Sequence, residues 1–367
     1  MNKFVFNSKV DWEVLDDLDF IKDMTLTEQD SIHHQEGNVY IHTRNVCSEV
    51  GKLNLHKDEK EILLYVAVFH DIEKRNTVNK YYDGDLLRIS NPNHSKLGEF
   101  TTRDIIYKNN LLDFNHREEV CMLVRMHGFP YLFLNREDYI KKISLISCFS
   151  KNKLLSYFAE CDMKGRICND AEMQLSLLDL YREECKYIES YDETTPFMDN
   201  YSRFKFFQKG EWYRQTYYND CKSKVYMLSG FPGVGKDYYY KNNLSHLPML
   251  SLDDLRIKNK VKRGDKKKQG QMIQEAIEIA KSYLRKNQDF VFNATNLTKD
   301  TRGKWLNIFH QYNSEVTIIY LETPYEKLIE QNNQREDSVP VEAINKMINF
   351  FQLPRYDEAH NIIFKTN

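Results

Sequence analysis

Residues 230–237 read Gly-Phe-Pro-Gly-Val-Gly-Lys-Asp. Gly230, Gly233 and Gly235 let backbone N–H groups turn inward around phosphate oxygens, because no Cβ obstructs them. Lys236 adds a mobile positive charge for the β and γ phosphates of a nucleoside triphosphate. The short apolar run KVYMLS precedes this loop and a helical stretch follows it, so the start of a helix would aim its positive end at the same anion. About fifteen residues on, LSLDDLR supplies Asp253, which can accept the proton of an attacking hydroxyl, and Arg256, which can grip a phosphate of the same substrate. Farther along, NNQREDSVP carries Arg335 on a polar segment between two helical stretches, a place suited to a closing lid. The chemistry implied is transfer of a phosphoryl group to an alcohol.

A second set of reactive residues lies in the first half. His70 and Asp71 are adjacent in VFHDIEK, and His42, His94, His127 and Asp162 are spread around them. Neighbouring residues on a helix point about 100° apart, so one ion receives both His70 and Asp71 only where the helix ends or where other helices complete the shell. Imidazole and carboxylate ligands suit a divalent transition metal, Mn, Co, Ni, Fe or Zn, better than Mg. Such an ion lowers the pKa of bound water and polarises a P–O bond. Asp162 and Arg166, four residues apart, read equally well as an i,i+4 ion pair. His33, His34, His56 and His116 fit no pattern and read as surface residues.

The elements that must position these groups differ between the two halves. Up to about residue 190 apolar residues recur at helical spacing, as in EKEILLYVAVFHDIEK, and eight of the eleven histidines fall before residue 130. From 223 on, short β-branched and aromatic runs (KVYMLS, DFVFNAT, EVTIIYL) alternate with longer helical stretches, the grammar of a parallel sheet covered on both faces. The expectation is two domains: an all-α helical domain over 1–195 and an α/β domain over 223–367. The segment 196–222, rich in aromatics, connects them and docks on one. With 41% hydrophobic residues and a net charge of −2 the chain is globular, and a tail-driven electrostatic binder is excluded. Seven scattered cysteines without a C-x-x-C pair suit a reducing cytoplasm. The N-terminus soon turns acidic, unlike a secretory signal, and no apolar run approaches the ~20 residues a membrane span needs, so no membrane partner is expected.

The 230–237 loop, the D-D-x-R element and the arginine segment resemble the polynucleotide 5′-kinase family, a P-loop fold. The resemblance implies that Asp253 is the general base toward a 5′-OH and that Arg256 holds the phosphate beside the acceptor nucleotide. It further implies that Lys236 and Arg335 stabilise the γ-phosphoryl group, with ATP or GTP as the NTP donor and Mg²⁺ as its ion. Thr295 and Asn296 fall where relatives place donor or acceptor contacts. Gln331 stands where relatives carry a first lid arginine. The run 258–268, with seven Lys or Arg, can track a nucleic-acid backbone beside this site or can be an ordinary solvated charge run.

The order His, His-Asp, His, His, Asp resembles the HD phosphohydrolase superfamily. By that resemblance His42, His70, Asp71 and Asp162 form a metal site, His94 and His127 bind a second metal or the substrate phosphate, and Lys74 and Arg166 neutralise phosphate charge. Glu73 departs from the commoner form, where a small Gly is frequent. Both halves in this order resemble the bacterial HD-Pnk RNA end-healing enzymes. The implied substrates are RNA ends, one bearing a 2′,3′-cyclic, 2′- or 3′-phosphate to be removed and the other a 5′-OH to be phosphorylated, with a separate RNA ligase as the partner that seals them. The alternatives are an HD nucleotidase joined to a small nucleoside kinase, and a regulatory module in which one site only senses nucleotide. Asp237 occupies the place of the usual Ser or Thr ligand to Mg²⁺, while Asn293 and Ala294 lie where kinase relatives often carry an Asp; a carboxylate moved into the loop is the expected explanation.

Overall fold

The computed structural model describes residues 3–262 and 264–366 and divides into two compact units, Met1–Pro196 and Phe197–Asn367. Arg263 of the basic run lies outside the described residues.

The first unit is built around the helix Lys57–Phe69. Its opening turn is charged, but Ile62 through Phe69 are all buried, so the helix is covered on every side. Helices Val39–Lys52, Phe114–Met126 and Asn152–Lys164 pack against it. Asn38 starts the first of these by accepting the Ile41 N–H at 2.9 Å, and Asp113 starts the second by accepting the His116 N–H at 3.1 Å. The all-α expectation needs correction, because two small antiparallel hairpins are present. β1 (Val5–Phe6) and β2 (Lys9–Val10) are joined by Asn7 and Ser8, both with positive φ, which is type I′ chemistry without glycine. β3 (Asn79–Asp83) and β4 (Leu86–Ser90) are joined by Gly84 and Asp85, with φ +62 at Gly84 as a type II′ turn requires. The second hairpin is half solvated on both faces, so it lacks the buried alternation that announces a strand. Its Asp-Gly pair was the available signal.

The second unit contains a five-stranded parallel sheet. Its strands are β5 (Ser223–Ser229), β6 (Met249–Ser251), β7 (Phe290–Asn293), β8 (Ser314–Glu322) and β9 (Asn361–Thr366), ordered β6-β7-β5-β8-β9. β9 was not foreseen; it is a polar, half-exposed edge strand whose Lys365 and Asn361 dilute the apolar pattern. Val225, Met227, Phe290, Phe292, Val316 and Ile318 pack against Ala276, Ala280 and Leu284 of helix Lys266–Arg285 and against Trp305 and Phe309 of helix Lys299–Gln311. The chain leaves central β5 toward β6 on one side and later reaches β8 on the other. The loop after β5 therefore sits at the point where strand order reverses, where parallel sheets open a crevice for ligands. The aromatic segment after 196 belongs to this unit: Tyr201 stacks on His360 with centroids 5.3 Å apart, and Phe204 lies 4.1 Å from the same ring. Among the described residues no helix is long and apolar enough to cross a membrane.

One buried ion pair fastens the turn after β7. Arg302, fully buried, donates to both Glu358 oxygens at 2.8 Å and to the carbonyls of Asn296 (3.1 Å) and Gln352 (2.8 Å). Removing one partner strands a charge without water, which costs far more than the pair contributes against apolar replacements. Glu358→Ala is therefore expected to destabilise this unit by about 3–5 kcal/mol. Arg302→Met with Glu358→Leu should recover much of that loss, as read from urea unfolding followed by tryptophan fluorescence.

Candidate functional site

In the first unit the helix ends do the positioning. Helix Lys57–Phe69 stops at Phe69, and His70 is its C-cap, so the chain turns and brings Asp71 to the same side as His70. The last carbonyls of a helix lack partners, and the His70 Nδ1 uses one, pairing with Ala67 O at 2.9 Å. His127, C-cap of helix Phe114–Met126, pairs its Nδ1 with Val124 O at 2.8 Å, and His94 pairs its Nδ1 with Asn91 O at 2.7 Å. Each Nδ1–H is thus committed to a carbonyl, which leaves each Nε2 a lone pair. These Nε2 atoms converge. His70 Nε2 lies 3.2 Å from Asp71 Oδ2, His94 Nε2 lies 3.5 Å from Asp71 Oδ1, and the Nε2 atoms of His94 and His127 are 3.2 Å apart. His42 Nε2 is 2.9 Å from Asp162 Oδ1 and 3.9 Å from Asp71 Oδ2.

Three ligand groups result among the described residues: His42–His70–Asp71 and Asp71–His94–His127, which share Asp71, and His34–Glu36–His42, which shares His42 with the first. Their chemistry fits a metal. His70 Nε2 and Asp71 Oδ1 are buried without a hydrogen-bond partner, while Asp71 Oδ2 meets Lys74, and a further cation would satisfy the two unpartnered atoms. Burial works against ionised Asp71, but His70 and Lys74 beside it hold its pKa well below the usual carboxylate range. Asp162 is likewise held down against burial, by Arg166 and His42. Burial pushes His127 down to about 3 and also lowers His94, keeping their lone pairs available. His42 moves the other way: its hydrogen bonds to Asp162 and Glu36 outweigh burial and raise its pKa.

Lys74 Nζ sits 2.7 Å from Asp71 Oδ2, and Arg166 Nη2 sits 2.5 Å from Asp162 Oδ2. Both cations thus contact the carboxylates directly, and both also line a cavity of about 370 Å³ with His94, His127 and Asp71. Glu73 is accommodated by hydrogen bonds from Thr101 and from Asn76, the latter at 2.9 Å. His34 is not a surface residue. It is buried at the cavity wall, and its Nδ1 pairs with Glu36 Oε1 at 2.8 Å. Its polar sequence neighbourhood hid this, since the burial is created by helices far away in the chain. His33, His56 and His116 are exposed, though His33 also borders the cavity. Glu36 was missed altogether. Its side chain is 1% exposed, its Oε1 lies 3.1 Å from His42 Nδ1, and its Oε2 accepts the Ile167 N–H at 2.8 Å. The hairpin residues Ile89 and Ser90 complete one wall, held by Asp30, which accepts the Ile89 N–H at 3.1 Å and pairs with Arg88.

In the second unit the loop after β5 has the required backbone. Gly230 has φ +152, and a Cβ there would lie 2.7 Å from Leu321 O. Gly233 has φ +85, and a Cβ would meet the backbone of Asn332 at 3.1 Å. Gly235, φ +94, precedes helix Lys236–Asn243. Lys236 Nζ donates to the carbonyls of Gly230 (2.9 Å) and Phe231 (3.0 Å), so the side chain is folded back over its own loop. Loss of solvation, helped by Arg335, lowers its pKa to about 8 against the opposing fields of Asp253 and Asp237. Asp253, Asp237 and Arg335 therefore lie near enough for their charges to act on Lys236. Asp253 is exposed on helix Leu252–Lys258, where Arg256 Nη1 holds it at 2.6 Å. Arg335 is exposed in the turn between helices Tyr325–Asn333 and Val341–Asn349, whose base is closed by Asn332 bonding both ways with Val339 (2.8 and 3.0 Å). Asn296 does not face a ligand. It is buried with φ +49, and its Nδ2 donates to Leu228 O at 2.7 Å, while Thr295 O accepts the Gly230 N–H at 2.9 Å. Both residues brace the loop. Asp237 is exposed, and Asn293 Nδ2 donates to its Oδ1 at 2.7 Å.

Partners that orient a ligating imidazole are worth about 10–100-fold in metal affinity. Glu36→Ala should weaken divalent-metal retention by that factor while Lys236 chemistry is untouched, as measured by chelator competition and metal content of the purified protein. Unchanged metal content would show that His42 needs no carboxylate behind it.

Comparison with known proteins bears on the second unit. Residues 225–354 match a family model described as an AAA domain. A solved structure from Chloroflexus aurantiacus J-10-fl, described as a "putative kinase", aligns over 40% of this chain and 86% of its own, at 14% identity and a TM-score of 0.34. The matched residues hold the glycine loop and strands β5 to β8 of the parallel sheet, so the second unit contains a region similar to that AAA, P-loop-bearing family.

Proposed function

We propose that the chain is a bifunctional RNA end-healing enzyme. The P-loop unit phosphorylates a 5′-OH with an NTP, and the helical unit is an HD-type phosphohydrolase that removes 2′,3′-cyclic, 2′- or 3′-phosphates. The observation that carries this reading is the presence, in one chain, of a phosphate loop with Asp253, Arg256 and Arg335 in the same unit and of a cluster of four histidines and two aspartates, all buried but the half-buried His94, at a cavity. A break that leaves a cyclic phosphate on one end and a hydroxyl on the other presents both defects together, and a separate RNA ligase would join the healed ends.

In the kinase half Asp253 accepts the proton of the attacking 5′-OH, and its exposure leaves that hydroxyl a path in. Arg256, already against Asp253, holds the neighbouring phosphate, and Lys236 and Arg335 meet the charge on the transferred group. The six described lysines of the basic run, Lys258, Lys260, Lys262 and Lys266 to Lys268, are all exposed and follow directly on the Asp253 helix, as a backbone-tracking arm requires. In the hydrolase half a transition metal held by His42, His70, Asp71 and Asp162, with His94 and His127 on a second ion or on phosphate, supplies activated water and Lewis acidity when bound. Lys74 and Arg166 then face the phosphate from the cavity wall.

An RNA carrying 5′-OH and 2′,3′-cyclic phosphate ends, incubated with ATP or GTP and varied metals, should gain a 5′-phosphate and lose the cyclic phosphate. Lys236→Ala should lower phosphorylation by about 10²–10³-fold and leave hydrolysis intact, and Asp71→Ala should do the reverse. Free nucleoside accepted in preference to oligonucleotide would favour the nucleotide-metabolism reading. Loss of both activities in each variant would contradict two independent sites.

A further inference from the structure

His34 and Glu36 stand in the loop between helices Asp19–Thr25 and Val39–Lys52, and the proposed hydrolase leaves His34 without a task. Glu36 is an ionised carboxylate: against burial, its contacts with His34 and His42 hold its pKa below the usual range. An ionised carboxylate only accepts hydrogen bonds, so His34 Nδ1, 2.8 Å from Glu36 Oε1, carries a proton. Burial, with the charges of Lys74 and Arg166, lowers the pKa of His34 to about 3 despite that bond, so the ring is neutral. A neutral imidazole protonated on Nδ1 keeps a lone pair on Nε2. That Nε2 has no hydrogen bond among the described residues, yet it is not sealed from solvent. The open space that His34 borders is the cavity it shares with Lys74 and Arg166. The wall therefore combines two cations with a neutral acceptor whose tautomer is fixed by a buried carboxylate.

We infer that His34, set by Glu36, is the acceptor that recognises the hydroxyl next to the phosphate in this cavity, and so distinguishes ribose ends from deoxyribose ends. The ligand group facing it must be a donor, because ionised phosphate oxygens and a lone pair repel each other. Lys74 and Arg166 lie near enough for their charges to act on His34, so the donor lies close to the phosphate they hold. In a ribose 2′- or 3′-phosphate the donor nearest phosphorus is the vicinal hydroxyl, and a deoxyribose 3′-phosphate has none there. A 2′,3′-cyclic phosphate has both oxygens esterified and offers no donor either. The contact therefore forms only after the ring has opened, and it bears on removal of the remaining monoester. The inference rests on the hydrolase reading of the helical unit and adds which sugar that unit selects.

The test uses the full-length protein loaded with Mn²⁺ and two RNA oligonucleotides that carry a 3′-phosphate, one on a terminal ribose and the other on a terminal deoxyribose. The ratio of their kcat/KM values is the readout. A site that hydrogen-bonds a hydroxyl loses roughly 5–150-fold when the hydroxyl is missing and its partner is stranded, and the wild-type ratio should fall in that range. His34→Asn keeps an amide near the Nδ1 position for Glu36 but places nothing at the Nε2 position, and its ratio should fall toward one. His34→Gln carries an amide near the Nε2 position and should keep most of the discrimination. On an RNA ending in a 2′,3′-cyclic phosphate, His34→Asn should accumulate more monoester relative to dephosphorylated product than the wild type does. Far-ultraviolet circular dichroism and chelator competition check that each variant is folded and retains its metal. A wild-type ratio near one, or equal losses on both sugars in His34→Asn, would overturn the inference. Loss of metal in His34→Asn would assign His34 to the metal shell and overturn it as well. A wild type that hydrolyses neither the monoesters nor the cyclic end would instead bring down the hydrolase reading, and the inference with it.

Discussion

The first unit is organised by the cost of taking charge out of water. Asp71 and Asp162 are almost completely buried, and such carboxylates persist only when cations or donors meet them. Lys74 and Arg166 each meet one, and His42 meets the other face of Asp162. That balance leaves Asp71 Oδ1 without a hydrogen-bond partner and aims His70 Nε2 at Oδ2, which Lys74 also meets. The helices could bury a His-Asp corner only by ending there, because mid-helix geometry would send the two side chains about 100° apart. Helix termination, the pairing of Nδ1 atoms with spare carbonyls and the convergence of Nε2 lone pairs are therefore one arrangement viewed at three scales.

The second unit solves the anion problem with backbone. Its parallel strands deliver their C-terminal ends to one edge, and the loop after β5 turns there because Gly230 and Gly233 adopt conformations and approaches that a Cβ would forbid. Beyond its own bonds from Lys236, the loop is held from outside. Asn296 ties it to β5 through Leu228, Ser229 Oγ donates to Asn296 O at 3.0 Å, and the buried Arg302–Glu358 pair fixes Asn296 from behind. Asn332, whose backbone crowds Gly233, also staples the base of the turn that carries Arg335. The turn that carries Arg335 and the phosphate cradle thus share Asn332.

What could be read from sequence divides along physical lines. The glycine loop, the His-Asp pair and the Asp253–Arg256 spacing are local, since each depends on residue types within a few positions, and local patterns survive in a single sequence. The β5, β7 and β8 runs were legible for a related reason: buried on both faces, they are nearly continuous in apolar residues. Glu36 and Arg302 were not legible as participants. Each is a polar residue whose role is set by partners 6 to 131 positions away, as with Arg302 and Asn296 or Glu36 and Ile167. Asn296 shows the converse error, a residue placed near ligand by pattern whose side chain the fold spends on its own scaffold.

The two sites handle the same functional group in opposite ways, and exposure explains why. In the helical unit the carboxylates are buried and supplemented by imidazoles, ligands that hold a softer ion tightly and independently of substrate. Around the phosphate loop Asp237 and Asp253 are exposed, and the ligand groups found among the described residues all lie in the first unit. A hard ion with a strongly held water shell gains little from such sparse protein ligands and needs phosphates to complete its coordination. On the proposed reading the first site would keep its cation between turnovers, whereas the second would take up its ion together with the nucleotide, and the exposed Asp237 carboxylate stays hydrated until then.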